Sequence, residues 1–427
     1  MALGTLLITQ PALIDVSEEW LARSEMACGA ALIALALVAL PHGVAWARWA
    51  AAAIGAVIMA LPFLFWTTNA AAYLSDTLVG MLVFGLAVGM KPEPGPSAIA
   101  SLRGPEIPPG WNYNPSAWSQ RLPIIALAFV GFYIARYLAG YQLGHIPNAW
   151  DPFFAGSASD PQNGTEEIIT SAVSKAWPVS DAAVGAYTYA LEILTGIAGS
   201  RARWRTMPWL VILFGLMIVP LGIVSIYFVI IQPIVIGTWS TLALIGAGAV
   251  LIQIPYSLDE LWAACDFVRR RVKAGANVVR VLFRGDADEG DTPAPGSEFE
   301  RGVGSFVRDM LSGGVSLPWN YAAAALIGVM LLFTRPLLGA AGVLANADHV
   351  IGALVLTTVS IAVAEVARPA RFCNMLLGAA LVAAPFVAGA DAAAIAIRFV
   401  LAAALIALSI RRGPVRGSYG AWSRYIL

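Results

Sequence analysis

The chain has 427 residues, of which 59% are hydrophobic and 12% charged, and its net charge is zero. A soluble domain carries about 25% charged residues, so half of the usual polar surface is missing, and the apolar surface in its place must face something other than water. Zero net charge offers no attraction to nucleic acid. The three cysteines, Cys28, Cys265 and Cys373, are far apart in sequence, which argues against a disulfide framework or a cysteine-based metal site. Composition therefore predicts an all-α, polytopic integral membrane protein.

A spanning helix needs about 20 mostly apolar residues. In chain order about eleven runs approach that criterion. They are Met26–Leu40, Trp49–Trp66, Tyr73–Gly89, Leu122–Tyr141, Ala183–Ala198, Met207–Ile231, Pro233–Pro255, Trp319–Phe333, His349–Val366, Phe372–Val387 and Ala392–Ile410. Ser17–Arg23 extends the first run by a turn. The apolar start, Met1–Ile14, lacks the basic region of a signal peptide, so no cleaved segment is expected. Between the seventh and eighth runs lies a polar linker, Arg284–Gly296, rich in Asp, Pro and Gly. After it, Phe299, Val303, Phe306, Val307, Met310 and Leu311 share one helical face, as in a helix lying at the membrane interface; docking of a partner is the other reading.

Basic residues mark alternate loops. One set holds Arg48, Lys91, Arg103, Arg121, Arg201, Arg203, Arg205, Arg269–Arg271, Lys273, Arg368, Arg371, Arg411, Arg412, Arg416 and Arg424. The other set is nearly bare, with Arg335 the exception. The positive-inside rule then places the N-terminus outside and the C-terminus in the cytoplasm, in a multi-pass protein of the plasma membrane.

An internal repeat is also present. A shift of 323 residues aligns Gly29 with Gly352, Ala47-Arg48 with Ala370-Arg371, Gly55 with Gly378, Pro62-Phe63 with Pro385-Phe386, and Glu25 with Asp348. Repeated helix pairs imply a duplicated packing unit, and the glycines would allow close helix contacts in lipid. The expected organisation is residues 1–95 and 316–427 as related flanks around a four-helix centre at 122–270. The centre carries an outer loop, 142–180, and cytoplasmic linkers occupy 96–121 and 271–315.

The central block carries several distinctive runs. They are Lys175-Ala176-Trp177-Pro178-Val179-Ser180-Asp181 with Gly185 and Tyr187, then Arg203-Trp204-Arg205-Thr206-Met207-Pro208-Trp209. Next come Gln232-Pro233, Gly237-Thr238-Trp239-Ser240-Thr241-Leu242-Ala243, and Ile254-Pro255-Tyr256-Ser257-Leu258-Asp259-Glu260. On these runs the segment Leu122–Val268 resembles the vitamin K epoxide reductase family, and the flanks resemble SPW-repeat membrane domains. The resemblance implies a four-helix bundle around a quinone pocket, with Cys-x-x-Cys at the outer start of the fourth bundle helix and a second cysteine pair in the outer loop. Here Ser240 and Ala243 stand at the redox positions, and Ala247 stands where many members carry a quinone-bonding Tyr. The loop 142–180 has no cysteine. Dithiol exchange proceeds through a mixed disulfide, which a hydroxyl and a methyl group cannot form, so that mechanism is excluded.

Four candidate sites follow. Trp239, Ser240 and Thr241 would form the wall of a pocket for a quinone or other isoprenoid lipid; the plainer reading is a filled pocket with Ser240 as a helix cap. The outer loop, with Phe153, Phe154 and Trp177, would close that pocket as a lid, or would be a surface helix anchored by Trp. Glu192 lies about 15 Å and Arg136 about 21 Å along their helices from opposite faces, nearly level, which predicts an intramembrane ion pair. Asp348 and Arg398 predict a second, structural pair, and one His beside an Asp does not make a metal-ligand set. Three functions compete: a binding or scaffold protein holding a quinone or a membrane partner, a quinone-linked oxidoreductase with its electron donor on another chain, and a transporter. Both repeat copies have one orientation, whereas many transporters use inverted repeats.

Overall fold

The computed structural model describes residues 1–39, 44–90, 93–157, 160–290 and 302–426. Lys91, the linker beyond Gly290 and Phe299 lie outside the described residues. The N-terminal group comprises α1 (Ala2–Leu13), α2 (Glu19–Val38), α3 (Ala45–Leu64) and α4 (Ala70–Gly89), followed by the short α5 (Ala98–Leu102). The centre comprises α6 (Trp118–Gln142), the loop helices α7 (Gly164–Ile169) and α8 (Ala172–Lys175), α9 (Asp181–Ile197), the short α10 (Arg203–Thr206), α11 (Pro208–Ile231) and α12 (Thr241–Lys273). Then come α13 (Val278–Arg284), α14 (Val303–Ser312), α15 (Trp319–Leu332), α16 (Thr334–Leu338), α17 (Gly342–Val363), α18 (Cys373–Val387) and α19 (Ala392–Ile410).

The protein is a polytopic helical membrane protein: among the described residues, 9 helices are long and apolar enough to cross a bilayer. Each of the eleven expected runs contains a helix, but α9 with 17 residues and α15 with 14 are shorter than a span requires, and α18 reaches span length only with the helical turn Glu365–Phe372 before it. The seventh run is placed differently from expectation. Its first residues, Pro233–Ile236, belong with Gln232 to a π-helical turn that closes α11, and Gly237 follows at φ 95°. The helix α12 starts only at Thr241 and continues through Pro255 to Lys273. Ala263, Ala264 and Phe267, all buried, supply the apolar face that carries it beyond the proline.

One further helix went uncounted. The apolar start folds as α1, too short at 12 residues to register as a span. It packs antiparallel to α2 at a glycine contact, where a Cβ on Gly29 would overlap the Gly4 carbonyl. Met1 lines a cavity with Ala39, Arg48 and Ala87, while at its other end Ile14 O accepts from Asn69 Nδ2. Met1 therefore lies beside Arg48, at the opposite end of α1 from Asn69.

The two flanks repeat one packing scheme. Gly328 and Gly352 bring α15 onto α17 as Gly4 and Gly29 bring α1 onto α2. Gly55 meets Gly80 between α3 and α4, and Gly378 meets Ala402 and Ile406 between α18 and α19. Small residues at these crossings let backbones approach and gain dispersion contacts in lipid.

One end of the molecule carries the loop 142–180 and is the lid end; the opposite end is rich in arginine. At that basic end the last carbonyls of α9 have no intrahelical partners. Arg121 donates to Gly196 O, Ala198 O and Gly199 O, and Arg203 to Thr195 O, Gly196 O and Ala198 O. Glu260 neutralises this buried positive charge through a bidentate pair with Arg203 at 2.6 Å. Arg205 holds the 96–117 linker by Ala100 O, Gly104 O and Pro105 O. The tail closes over the same end, where Gly420 N donates to Gly110 O and Glu365 accepts from Arg416 N, Gly417 N and Tyr419 Oη. On α14, Val303, Val307 and Leu311 are exposed along one face.

Candidate lipid-binding cavity

The bundle helices leave one side open. α6 packs along α9 and α12, and α12 along α11, but α11 barely touches α9. A cavity of about 410 Å³ fills that gap, within the usual range of ligand pockets. Gly131, Ile134 and Leu138 of α6, Val184 and Gly185 of α9, and Met217, Leu221 and Phe228 of α11 make its apolar walls. Ser240, Ala243 and Ala247 of α12 line it as well. The positions that the resemblance assigned to redox chemistry therefore face open space rather than packed side chains. No lining residue is a cysteine.

Thr165, Ile168, Ile169 and Trp177 cover the cavity at the lid end. The lid is fastened by Asp151. Its carboxylate accepts from Thr241 N at 3.1 Å, Thr241 Oγ1 at 2.5 Å and Thr165 Oγ1 at 2.7 Å, and also from the amides of Phe153 and Phe154. Thr241 thus acts as a latch point on the first turn of α12, whose positive dipole end suits a carboxylate. Burial works against the charged form of Asp151, but the hydrogen bonds from Thr241, Thr165 and the Phe154 amide outweigh it and hold the carboxyl below its ordinary range. Asn163 and Glu166 form a capping box at the start of α7. A Cβ on Gly164 would overlap the Trp239 carbonyl, so only glycine allows α7 to seat there.

Three polar groups converge on the top of the cavity. Ser240 caps α12, its Oγ accepting from Ala243 N at 3.1 Å and lying 2.7 Å from Thr165 Oγ1. Gln232, in the π-helical turn, accepts at Oε1 from Ser240 N at 3.0 Å. Its Nε2 is buried without a hydrogen-bond partner, on a residue 0% exposed. An orphan donor in an apolar wall costs about 1–3 kcal/mol, which a ligand carbonyl would recover.

The sequence-predicted residues divide. Ser240, Ala243 and Trp177 line the cavity; Thr241 fastens its lid. Trp239 does not form its wall. Its ring stacks between Phe154 and Phe333 and meets His349 edge-on, wedging the centre against the C-terminal flank. Phe153 is 78% exposed and is not among the residues lining this cavity. The expected Arg136–Glu192 ion pair does not form. Arg136 stacks on Tyr73 at 3.4 Å and donates to Thr77 Oγ1 at 3.2 Å, both on α4. Glu192 faces Gln253 of α12, and both of its carboxylate oxygens lack a hydrogen-bond partner. Level heights were not enough, because α6 turns Arg136 toward the flank while α9 turns Glu192 into the bundle. Asp348 and Arg398 do pair, at 2.6 Å and fully buried. Among the described residues no group of three or more His, Cys, Asp or Glu is arranged to hold a metal.

Gln232 and Thr165 were missed as site residues. For Gln232 a signal existed: it is the lone amide after the apolar stretch Ile226–Ile231, and polar groups in such runs are costly enough to be functional by default. For Thr165 none did, since its role depends on how the lid folds back.

No curated protein and no solved structure matches the chain. Residues 122–258, which bring together α6, the lid, α9, α11 and the start of α12 around the cavity, match the model of the vitamin K epoxide reductase family.

Proposed function

We propose that the central bundle binds the ring of a quinone or another carbonyl-bearing isoprenoid lipid and acts as a binding or scaffold subunit, without dithiol chemistry. The observation that carries this reading is the roofed cavity of about 410 Å³ lined by Gln232, whose buried Nε2 has no hydrogen-bond partner. Gln232 would donate to a ligand carbonyl, and the Thr165–Ser240 hydroxyl pair would offer a second polar contact beside it. The gap between α9 and α11 leaves a way to the bilayer for a polyprenyl tail. The match of residues 122–258 to a family of membrane redox proteins supports a quinone over other lipids. The basic end would face the cytoplasm, by the positive-inside rule, in a plasma-membrane protein. The flanks, of SPW-repeat type, would brace the bundle and present a surface to a membrane partner.

With Ser240 and Ala243 in the place of thiols, the chain has no means of passing electrons by disulfide exchange at this cavity. Bound quinone could then be reduced only by a donor from another chain. The test begins with extraction of purified protein by organic solvent. A quinone near one per chain supports the reading, and an extract without any isoprenoid lipid contradicts it. Adding a thiol or NADH donor to the loaded protein and following quinone absorbance then separates binding from catalysis. No reduction by the isolated chain is expected.

A further inference from the structure

The repeat sets up an internal comparison that the central cavity does not use. In the C-terminal flank, Asp348 on α17 is neutralised by Arg398 on α19 at 2.6 Å, both buried. Its counterpart under the 323-residue shift is Glu25 on α2. Position 75, the counterpart of Arg398, is Ser75 on α4, and the next residue is Asp76. The N-terminal flank therefore has two carboxyl groups where the C-terminal flank has an acid and a guanidinium.

Both carboxyl groups are 0% exposed. Asp76 Oδ1 accepts from Gln10 Nε2 at 2.6 Å, and Ser75 Oγ donates to Gln10 Oε1. Asp76 Oδ2 and both oxygens of Glu25 have no hydrogen-bond partner. Glu25 points at Asp76 and Gln10. Cys28 lies one turn along α2, and Glu18 at its start adds only negative charge. Of the neighbouring cations, Arg136 is bonded to Thr77 on α4 and Arg23 on α2 is paired with Glu19. Two uncompensated carboxylates out of water cannot both stay ionised, and each buried charge costs several kcal/mol.

We propose that the N-terminal flank binds one cation from solution between Glu25 and Asp76, a proton or a sodium ion, in the place that Arg398 fills in the other copy. The free acceptors there are all carboxylate oxygens, both of Glu25 and Oδ2 of Asp76. Such a shell suits a hard monovalent cation or a proton shared between the acids.

The experiment is thermal unfolding of the full chain in nanodiscs, as pH rises in choline chloride and as sodium replaces choline at alkaline pH. If a proton is held, the folded state binds more protons than the unfolded state, so Tm falls as pH rises. If sodium is held, it raises Tm at alkaline pH, with a logarithmic dependence on its concentration above Kd. Glu25→Gln/Asp76→Asn should lose whichever response the wild type shows. Ser75→Arg, which copies the arrangement of the C-terminal flank, should lose it too, and carries the comparison if the double variant does not assemble. A wild type without either response, or variants that respond as the wild type does, would overturn the proposal.

Discussion

Gln232 is the residue on which the cavity turns. Its acceptor side is used by Ser240 N and its donor side is free, so removing the amide should weaken a ligand more than it weakens the fold. Gln232→Leu is expected to lower ligand retention by up to about tenfold, the value of one net hydrogen bond, as measured by titration of quinone into lipid-depleted protein. Unchanged affinity would place the ligand carbonyl elsewhere. Asp151 supplies a pH dependence. Its folded-state pKa lies below the unfolded one, so the latch contributes in full above about pH 4 and is lost as pH falls through the lower folded value. Hydrogen exchange across 142–180 should be flat from about pH 8 to 5 once corrected for intrinsic rates, then rise in stronger acid. In Asp151→Asn, exchange in the loop should be fast at neutral pH. Several residue identities were readable in advance because chemistry alone decides them: Ser240 and Ala243 cannot form a disulfide in any fold. Side-chain direction was not, which is why Arg136 and Glu192 seemed partners at matching heights yet turn to different neighbours.

At the scale of elements, the lid depends on one backbone approach. α7 seats against the Trp239 carbonyl through Gly164, and Gly164→Ala should unseat it. The expected result is faster protease cleavage within 142–180 with little change in the Tm of the bundle; unchanged cleavage would mean the lid is held elsewhere. The Asp348–Arg398 pair is a different kind of element contact. Breaking a buried pair strands a charge, so Arg398→Ala should cost about 3–5 kcal/mol in stability, read from the denaturation midpoint in detergent. Helix existence was legible from apolar runs, and the glycine spacing revealed the repeat. What escaped was α1, since 12 apolar residues fall below the length of a span and only packing on α2 gives them a fixed place. The π-helical turn at Gln232–Ile236 escaped as well, because a continuous apolar run hides where one helix ends and the next begins.

Across the whole molecule, two flanks hold a central bundle that encloses a largely apolar cavity beside its packed core. Arg121, Arg203 and Glu260 tie the bundle at its basic end, while Trp239, stacked between Phe154 and Phe333, wedges it against a flank at the other. Composition was sufficient to establish a polytopic helical membrane protein. The resemblance led to the expectation of a pocket, but whether it is open or filled was not legible, since a hole is set by which helices fail to touch, and the weak contact between α9 and α11 has no signature in sequence. The claim that this hole is a lipid site is tested most directly by comparing wild type with Ala247→Trp, which fills the cavity from α12. Both are purified in the same detergent, extracted with solvent and assayed for isoprenoid lipid per chain. A near-stoichiometric quinone in the wild type that is lost from a folded Ala247→Trp protein is the expected result. Equal lipid content in the two proteins, or none in either, would contradict the account.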